Sequence, residues 1–301
     1  MDRFLHLIVN RQSRNGEAVF KKLLIEIPRY TQQFQIYSTD NTSELETIVK
    51  DLKETMPLDD LVIIIGGDGS LNQIITLFEK YSIENDLGYI PSGSGNDFAR
   101  SNKMPIDTDE AIKYLFHLKE PRELSIIQAT QGEQIYYAVN SIGIGIDGLV
   151  IHQTEQSNFK KLLGPASYIS SVLSAFVKQK KFPVTLHVDD GTFTFDKVQL
   201  ALFANNANFG GGIEIIPEAD GTDDTLEILI ANDVNGRDLL KILRLLFKNG
   251  SHLSHSKLHT FSSKKIAFFS EATQFGQKDG ESFSQEGFAL TFSTKKRSFW
   301  I

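Results

Sequence analysis

An unbroken aliphatic run that ends in a glycine-rich turn constrains this chain more than any other feature. Leu61–Ile65 are all aliphatic, which is typical of a strand buried on both faces of a parallel sheet. The chain continues as Gly66-Gly67-Asp68-Gly69-Ser70-Leu71-Asn72, followed by apolar residues at helical spacing. Glycines here let backbone N–H groups approach a ligand, and the helix N-terminus favours anions. The segment predicts a polyphosphate-binding turn, with an ordinary strand–helix connection as the alternative.

A second turn of the same kind follows the next predicted strand. Residues 91–99 read Pro-Ser-Gly-Ser-Gly-Asn-Asp-Phe-Ala. Ser94 is expected to bond a phosphate, and Asp97 to help hold Mg²⁺ or orient a nucleophile. A purely capping role for Asn96 and Asp97 is the alternative. In a doubly wound sheet both turns lie at the carboxyl edge, where ligands bind.

Alternating strand and helix patterns predict an α/β domain with a doubly wound, mostly parallel sheet over residues 1–120. Two helices are expected to begin at Ser43-Glu44-Leu45-Glu46, which has the form of a capping box, and at Thr108. Short strands then dominate, with a hairpin turn at Asp190-Gly191 and helical patterns near 158–178 and 236–248. We predict an α/β domain over 1–120, to which 290–301 can return, and a mainly antiparallel β domain over 121–289.

Composition narrows the classes of function. The chain has 31 basic and 38 acidic residues, so a basic nucleic-acid footprint is not expected. It has no cysteine, which excludes thiolate nucleophiles, disulfides and cysteine metal sites. No apolar run approaches the roughly 18 residues needed to span a bilayer. We expect a soluble, cytoplasmic protein that contacts a membrane only peripherally.

Two common nucleotide-binding patterns do not apply. No Gly-x-x-x-x-Gly-Lys-[Ser/Thr] motif is present, which excludes a P-loop enzyme. Residues 143–148 match the dinucleotide fingerprint Gly-x-Gly-x-x-Gly, but Tyr168 stands where an acidic residue is required. Because the surrounding pattern is also not βαβ, we reject the fingerprint.

Five motifs in order along the chain resemble the diacylglycerol kinase catalytic-domain family, especially its stand-alone bacterial lipid kinases. One is the turn at 66–72. The others are an Asn-x-x-Ser loop at Asn10–Gly16 with a following threonine, Thr39; an Asn-x-x-Gly-x-Gly-x-Asp segment at Asn140–Asp147; a triple glycine, Gly210-Gly211-Gly212, with Pro217 and Ala219; and an Asp-Gly-Glu motif within Gln277–Glu281. The resemblance covers nearly the whole chain.

The resemblance implies an ATP- and Mg²⁺-dependent lipid kinase with an α/β domain, a β-sandwich domain and a cleft between them. ATP is then expected along Asn10, Arg11, Gln12, Ser13, Arg14, Thr39, Gly66, Gly67, Asp68, Gly69, Ser70, Leu71, Asn72 and Ser94. Glu281 is the implied general base, with Asp279 beside it, and Asp68 is our choice to organise the catalytic Mg²⁺. A structural Mg²⁺ is implied on Asp220, Asp223 and the Thr225 carbonyl. The implied partner is diacylglycerol or a related lipid at the inner face of the membrane.

Several positions depart from the family pattern. Arg11 stands where proline is usual, Arg14 where glycine is frequent, Asp224 where the metal loop usually has glycine, and Ser125 where aspartate is common. Ser125 keeps open a non-catalytic, nucleotide-binding regulator. A kinase of a soluble substrate, similar to NAD kinase or phosphofructokinase, is the second alternative, and homodimerisation also stays open.

Overall fold

A computed structural model of the chain describes residues 3–13, 15–156 and 165–301. The chain divides into two compact units, Met1–Leu124 with Lys296–Ile301, and Ser125–Lys295. Arg14 and the first part of the helix expected near 158–178 lie outside the described residues.

The first unit contains a parallel sheet with helices between its strands, as the alternating pattern predicts. Its elements, in chain order, are β1 (Leu5–Asn10), α1 (Gly16–Glu26), β2 (Phe34–Thr39), α2 (Thr42–Thr55), β3 (Leu61–Gly66), α3 (Asp68–Lys80), β4 (Leu87–Pro91), α4 (Asp97–Ser101) and α5 (Thr108–His117). Strand β1 pairs in parallel with β2 and β3, and β3 pairs in parallel with β4. Phe299 and Trp300 at the end of the chain add a further parallel pairing beside β4.

Both predicted helix starts are displaced from the residues that cap them. The side chain of Asn41 accepts the backbone N–H of Glu44 at 3.0 Å, so Asn41 caps α2 and the capping box at Ser43–Glu46 is wrong. Asp107, not Thr108, caps α5 by accepting the N–H groups of Asp109 and Glu110. In each case an Asn or Asp precedes the predicted cap, and its short side chain already satisfies the first exposed N–H groups.

The C-terminal residues are held in the first unit by a buried cation. Arg297 donates through Nη1 to the Ile83 carbonyl at 2.6 Å and through Nη2 to the Asn85 carbonyl at 3.2 Å. Its guanidinium also lies 3.4 Å from the carboxylate of Glu79. Burial lowers the pKa of Arg297, and the charge of Glu79 opposes that effect. Removing one of these partners would leave a buried charge unpaired, which is costly. The contacts of Arg297 therefore hold the C-terminal residues in the first unit.

The second unit is mainly antiparallel, and strands β5 and β15 run across the boundary between the units. The elements are β5 (Arg122–Gln131), β6 (Gln134–Ala138), β7 (Ser141–Gly145), α6 (Ile146–Gln156), α7 (Pro165–Lys178), β8 (Phe182–Val188), β9 (Gly191–Ala204), β10 (Asn208–Phe209), β11 (Ile213–Glu214), β12 (Leu226–Asn232), α8 (Gly236–Asn249), β13 (Leu258–Ser263), β14 (Ile266–Lys278) and β15 (Glu281–Trp300). Strand β9 pairs antiparallel with β7, β8 and β12, and β14 pairs antiparallel with β7, β8 and β15.

Local details of the second unit agree with most of the sequence patterns. Strand β7 leads into α6 but pairs antiparallel with β9 and β14, so residues 143–148 are not part of a βαβ unit, as predicted. The β8–β9 hairpin turns at Asp189-Asp190, one residue earlier than predicted, because Gly191 already pairs with Val188. Phe203 stacks on Phe292 with ring centroids 3.9 Å apart in the buried core.

Within the described residues, no helix combines the length and apolar character required to span a bilayer.

Candidate active site

A polar pocket in the first unit collects four of the predicted nucleotide residues. Asn10, Gln12, Thr39 and Ser70 line it, at the carboxyl ends of β1 and β2 and the first turn of α3. The Asn10 side chain donates to the Ser70 hydroxyl at 3.0 Å, which joins the first loop to the turn after β3. The pocket therefore presents amides, hydroxyls and the carboxylate of Asp40 where parallel strands end, the usual place for a ligand in such a sheet.

The loop after β1 is shaped by Asn10. Its side-chain oxygen accepts the Gln12 N–H at 3.0 Å, and its carbonyl accepts the Ser13 hydroxyl at 2.8 Å. Arg11 does not line the pocket; its guanidinium pairs with Glu17 at 2.8 Å. That pairing lowers the pKa of the Glu17 carboxyl, so the charge of Arg11 is shared with the first turn of α1.

The two glycine-rich turns touch through their backbones. A Cβ on Gly93 would lie 2.5 Å from the Cα of Gly67, so only glycine permits this approach. Asp68 then joins the turns by accepting the N–H groups of Asp97 at 3.1 Å and Phe98 at 2.9 Å. The two predicted motifs thus form one backbone assembly in the first unit.

The side chain of Tyr89 contacts the first of these turns and is affected by the negative charge there. Its buried hydroxyl donates to the Gly66 carbonyl at 3.1 Å. Burial and the charges of Asp68 and Asp97 raise the pKa of Tyr89 well above its usual range. Asp68 is in hydrogen-bond contact with the backbone of Asp97, and carboxylate oxygens are the ligands that Mg²⁺ prefers.

Most of the predicted nucleotide residues that the structure describes do not line the polar pocket: Arg11, Ser13, Gly66, Gly67, Asp68, Gly69, Leu71, Asn72 and Ser94 all lie outside its lining. Leu71 and Asn72 are completely buried, and the Asn72 amide bonds no described residue. Ser94 is exposed and lies outside the lining. Gly69 has open space where a Cβ would stand, so the turn keeps room for a ligand against its backbone. The amides, hydroxyls and open turn together fit a polyphosphate.

In the second unit, the Asp-Gly-Glu motif forms a tight turn between β14 and β15, and hydrogen bonds to the buried Asp279 side chain hold this turn in place. Asp279 is only 8% exposed and has a φ of +45°. Its carboxylate accepts the backbone N–H groups of Val139, Asn140 and Ser141. These three bonds fix the carboxylate and tie the turn to the start of β7.

A second set of hydrogen bonds connects this turn to α6. Gln277 donates to the Asp147 carboxylate at 2.7 Å and accepts the Gly280 N–H at 2.9 Å. Gly143 permits the position of Asp147, because a Cβ there would lie 2.1 Å from its oxygen. Glu281, which follows Gly280 in the turn, is half-buried, and its carboxylate lies 3.2 Å from the Lys278 ammonium. Sequence reasoning missed the roles of Gln277 and Lys278, although both stand inside the quoted motif.

A largely apolar pocket of about 950 Å³, solvent space at its edge included, lies in the same unit. It is enclosed by α7, α8 and the strands β9 and β12, and Asp147 is one of its few polar lining residues. The triple glycine connects two lining residues, Phe209 and Ile213, through a turn in which all three glycines have positive φ. Sequence patterns alone did not indicate this pocket, since it forms only where separate helices meet the sheet.

The predicted structural metal loop lies on the surface of the second unit. Asp220 and Asp223 are exposed, and each accepts the N–H two residues ahead, at 2.9 and 2.8 Å. Ser125 is buried beneath the loop, where its N–H donates to the Gly221 carbonyl at 2.7 Å and its hydroxyl donates to the Asp223 carbonyl. Among the residues that the structure describes, no group of three His, Cys, Asp or Glu side chains is close enough together to bind a metal ion.

Comparisons with known proteins cover both units. Residues 5–129 match the model of the diacylglycerol kinase catalytic domain, and residues 140–293 match the YegS C-terminal NAD kinase beta sandwich-like domain. A diacylglycerol kinase of Staphylococcus saprophyticus is 25% identical over 89% of this chain and 86% of its own. One of Mycobacterium tuberculosis is 27% identical over 69% and 66%. A Bacillus anthracis crystal structure described as a diacylglycerol kinase has a TM-score of 0.70 at 18% identity, over 99% of this chain and 96% of that one, and shares the fold.

Proposed function

Because the chain belongs to the diacylglycerol kinase catalytic-domain family, we propose that it transfers the γ-phosphoryl group of ATP to a hydroxyl of diacylglycerol or a related lipid. The comparisons support kinase activity in general, and the family makes ATP its phosphoryl donor. The choice of a lipid acceptor is carried by one observation, the largely apolar pocket of the second unit. A soluble sugar phosphate or dinucleotide has no hydrocarbon to place against such a wall.

The first unit supplies the proposed ATP site. Amides and hydroxyls of Asn10, Gln12, Thr39 and Ser70 bind the phosphates together with backbone N–H groups of the turn at 66–70. Asp68 and Asp97 are the proposed ligands of the catalytic Mg²⁺. When bound, that ion offsets charge on the transferring phosphoryl group.

The second unit supplies the proposed base and the lipid site. The lipid hydrocarbon occupies the apolar pocket, and Glu281 accepts the proton of the hydroxyl as its oxygen bonds to the γ-phosphorus. The bond from the γ-phosphorus to its bridging oxygen breaks, and ADP leaves. Asp279 acts here as a positioning residue, because its carboxylate accepts three backbone N–H groups. The Lys278 ammonium, 3.2 Å from the Glu281 carboxylate, helps to hold that side chain in place.

A structural Mg²⁺ on Asp220, Asp223 and the Thr225 carbonyl is a separate part of the proposal. Hard oxygen donors suit the ion, and Ser125 fixes the loop that carries them. Attachment to the inner face of the membrane, cytoplasmic location and homodimerisation remain predictions.

Transfer of labelled γ-phosphate in mixed micelles with Mg²⁺ tests the proposal. The acceptors are diacylglycerol, monoacylglycerol, phosphatidylglycerol, sphingosine and undecaprenol, with NAD and fructose 6-phosphate as soluble controls. We expect label in a lipid and none in the soluble controls. Label in a soluble control alone contradicts the lipid assignment, and ATP binding without any transfer favours the regulator.

A further inference from the structure

Helix α8 presents two different surfaces, of which the pocket uses only one. Its inner surface consists of Leu239, Ile242, Leu243 and Leu246, which line the apolar pocket. Its outer surface has no role in the proposed reaction.

The outer surface of α8 carries a row of four cations, Arg237, Lys241, Arg244 and Lys248, here called the basic stripe. At 3.6 residues per turn these positions fall within an arc of about 60°. All four are exposed, and none pairs with an acidic group of any residue that the structure describes. The acidic residue of the helix, Asp238, instead accepts the Asn235 N–H and lies 3.8 Å from His255. In a chain with a net charge of −7, this stripe is a local concentration of positive charge.

Large apolar side chains stand directly beside the stripe. Leu240 is 63% exposed and Phe247 is 51% exposed, and both project next to the cations on the same helix. Leu173 and Val177 of α7, the other helix that lines the pocket, are exposed as well. These two helices thus carry four of the ten large apolar residues that are exposed in the described part of the chain. Phe247 is also a lining residue, so it stands at the rim of the pocket.

We propose that the outer surface of α8 docks on an anionic lipid bilayer, with Leu240 and Phe247 inserted among the acyl chains and the basic stripe at the phosphate groups. Apolar side chains flanked by cations on one helical surface are the arrangement that binds at such an interface. Long basic side chains reach the headgroups while their stems cover apolar surface. A symmetric contact with a second copy would set the stripe against itself, and like charges disfavour that occupant.

Docking at this surface brings the rim of the apolar pocket to the bilayer. A lipid tail then passes from the membrane to the pocket beside Phe247 without crossing water, a consequence that rests on the proposed function. The docking itself does not depend on it, because vesicle binding requires neither ATP nor turnover.

Sedimentation of the full chain with phosphatidylcholine vesicles, with and without phosphatidylglycerol, tests the docking surface. We expect preferential binding to the anionic vesicles. K241Q/R244Q should weaken that binding by about 25-fold, from roughly fivefold for each cation. L240S should weaken it by about tenfold, since one leucine no longer enters the acyl region. The same binding is expected for E281Q as for the unchanged chain, which separates failure of docking from failure of catalysis.

Matched variants set the controls. K119Q/R122Q removes the same charge from exposed residues that pair with no described residue, and L58S replaces a leucine that is 69% exposed elsewhere. Both should bind vesicles like the unchanged chain, with circular dichroism showing that all variants are folded. Equal losses in the control and α8 variants would overturn the proposal. So would a lack of preference for phosphatidylglycerol, or an α8 variant that changes only the oligomeric state.

Discussion

The polar pocket of the first unit and the apolar pocket of the second unit differ in chemistry. The pocket of the first unit combines polar side chains, among them Asn10 and Ser70, which bond each other, with the aliphatic side chains of Ile8, Leu45, Ile65 and Ile74. The pocket of the second unit is walled by leucine, isoleucine and phenylalanine from two helices and a sheet. A triphosphate gains little from the second pocket, because few polar groups line it. Under the proposed function, the two reactants are recognised by different units, so we expect that the binding of each can be weakened alone.

The largest expected effect is on turnover alone. Glu281→Gln keeps the shape of the side chain but removes the proton acceptor, so we expect phosphoryl transfer to fall by about 10²–10⁴-fold. ATP binding by calorimetry and binding of a lipid probe should both persist. Full activity in this variant would show that another group is the base.

A smaller and selective effect is expected in the apolar pocket. Leu243→Asn places an amide against apolar neighbours, and an unpaired amide there costs about 2 kcal/mol, or roughly 30-fold in affinity for a hydrocarbon. Fluorescence of a monomeric long-chain diacylglycerol analogue measures it, with ATP affinity unchanged. Leu240→Asn, nearly one turn away and outside the pocket, is the matched control, and an equal loss there would contradict the assignment of the pocket.

The polar pocket gives the converse test. Asn10→Ala removes the hydrogen bonds to Ser70 and to the Gln12 N–H, and about 1 kcal/mol corresponds to a loss of roughly fivefold in ATP affinity. Binding of the lipid probe should not change. A variant that loses lipid and ATP binding together would break the division between the two units.

The smallest expected effect concerns the residue that departs from the family. Ser125→Ala removes the hydroxyl that donates to the Asp223 carbonyl, so we expect a loss of about 1 kcal/mol in unfolding free energy by urea titration. Ser125→Asp should lose more, because a buried carboxylate would face that carbonyl oxygen. A gain of activity or stability in Ser125→Asp would show instead that this serine is a functional deficit.

The sequence predicted fold class well because its strongest patterns are local and periodic. The run at Leu61–Ile65 is a completely buried strand. It pairs in parallel, as expected of a strand in a sheet that is buried on both faces. The helix starts failed by one or two residues, because several polar residues near Asn41 and Asp107 compete for the same N–H groups and pattern alone does not rank them.

The candidate site was predictable only where the sequence motifs themselves contain the residues that contact each other. The turns at Gly67 and Gly93 were expected at the same sheet edge, and their backbones touch. Leu71 belongs to the same motif, yet its side chain packs in the core, since a motif includes residues that support the fold. The buried bonds of Asp279 and the apolar pocket depend on segments more than 100 residues apart, and no local pattern contains that information.

The central claim is tested most directly by locating the lipid on the chain. A diacylglycerol analogue with a diazirine at the end of its acyl chain is photolysed with the folded protein, and the labelled peptides are identified by mass spectrometry. We predict labels on α7, α8 and β12 that excess unlabelled diacylglycerol removes and ATP does not. Labels confined to the peptides of Asn10, Thr39 and Ser70, or labels that diacylglycerol does not compete away, would contradict the division of substrates between the two units.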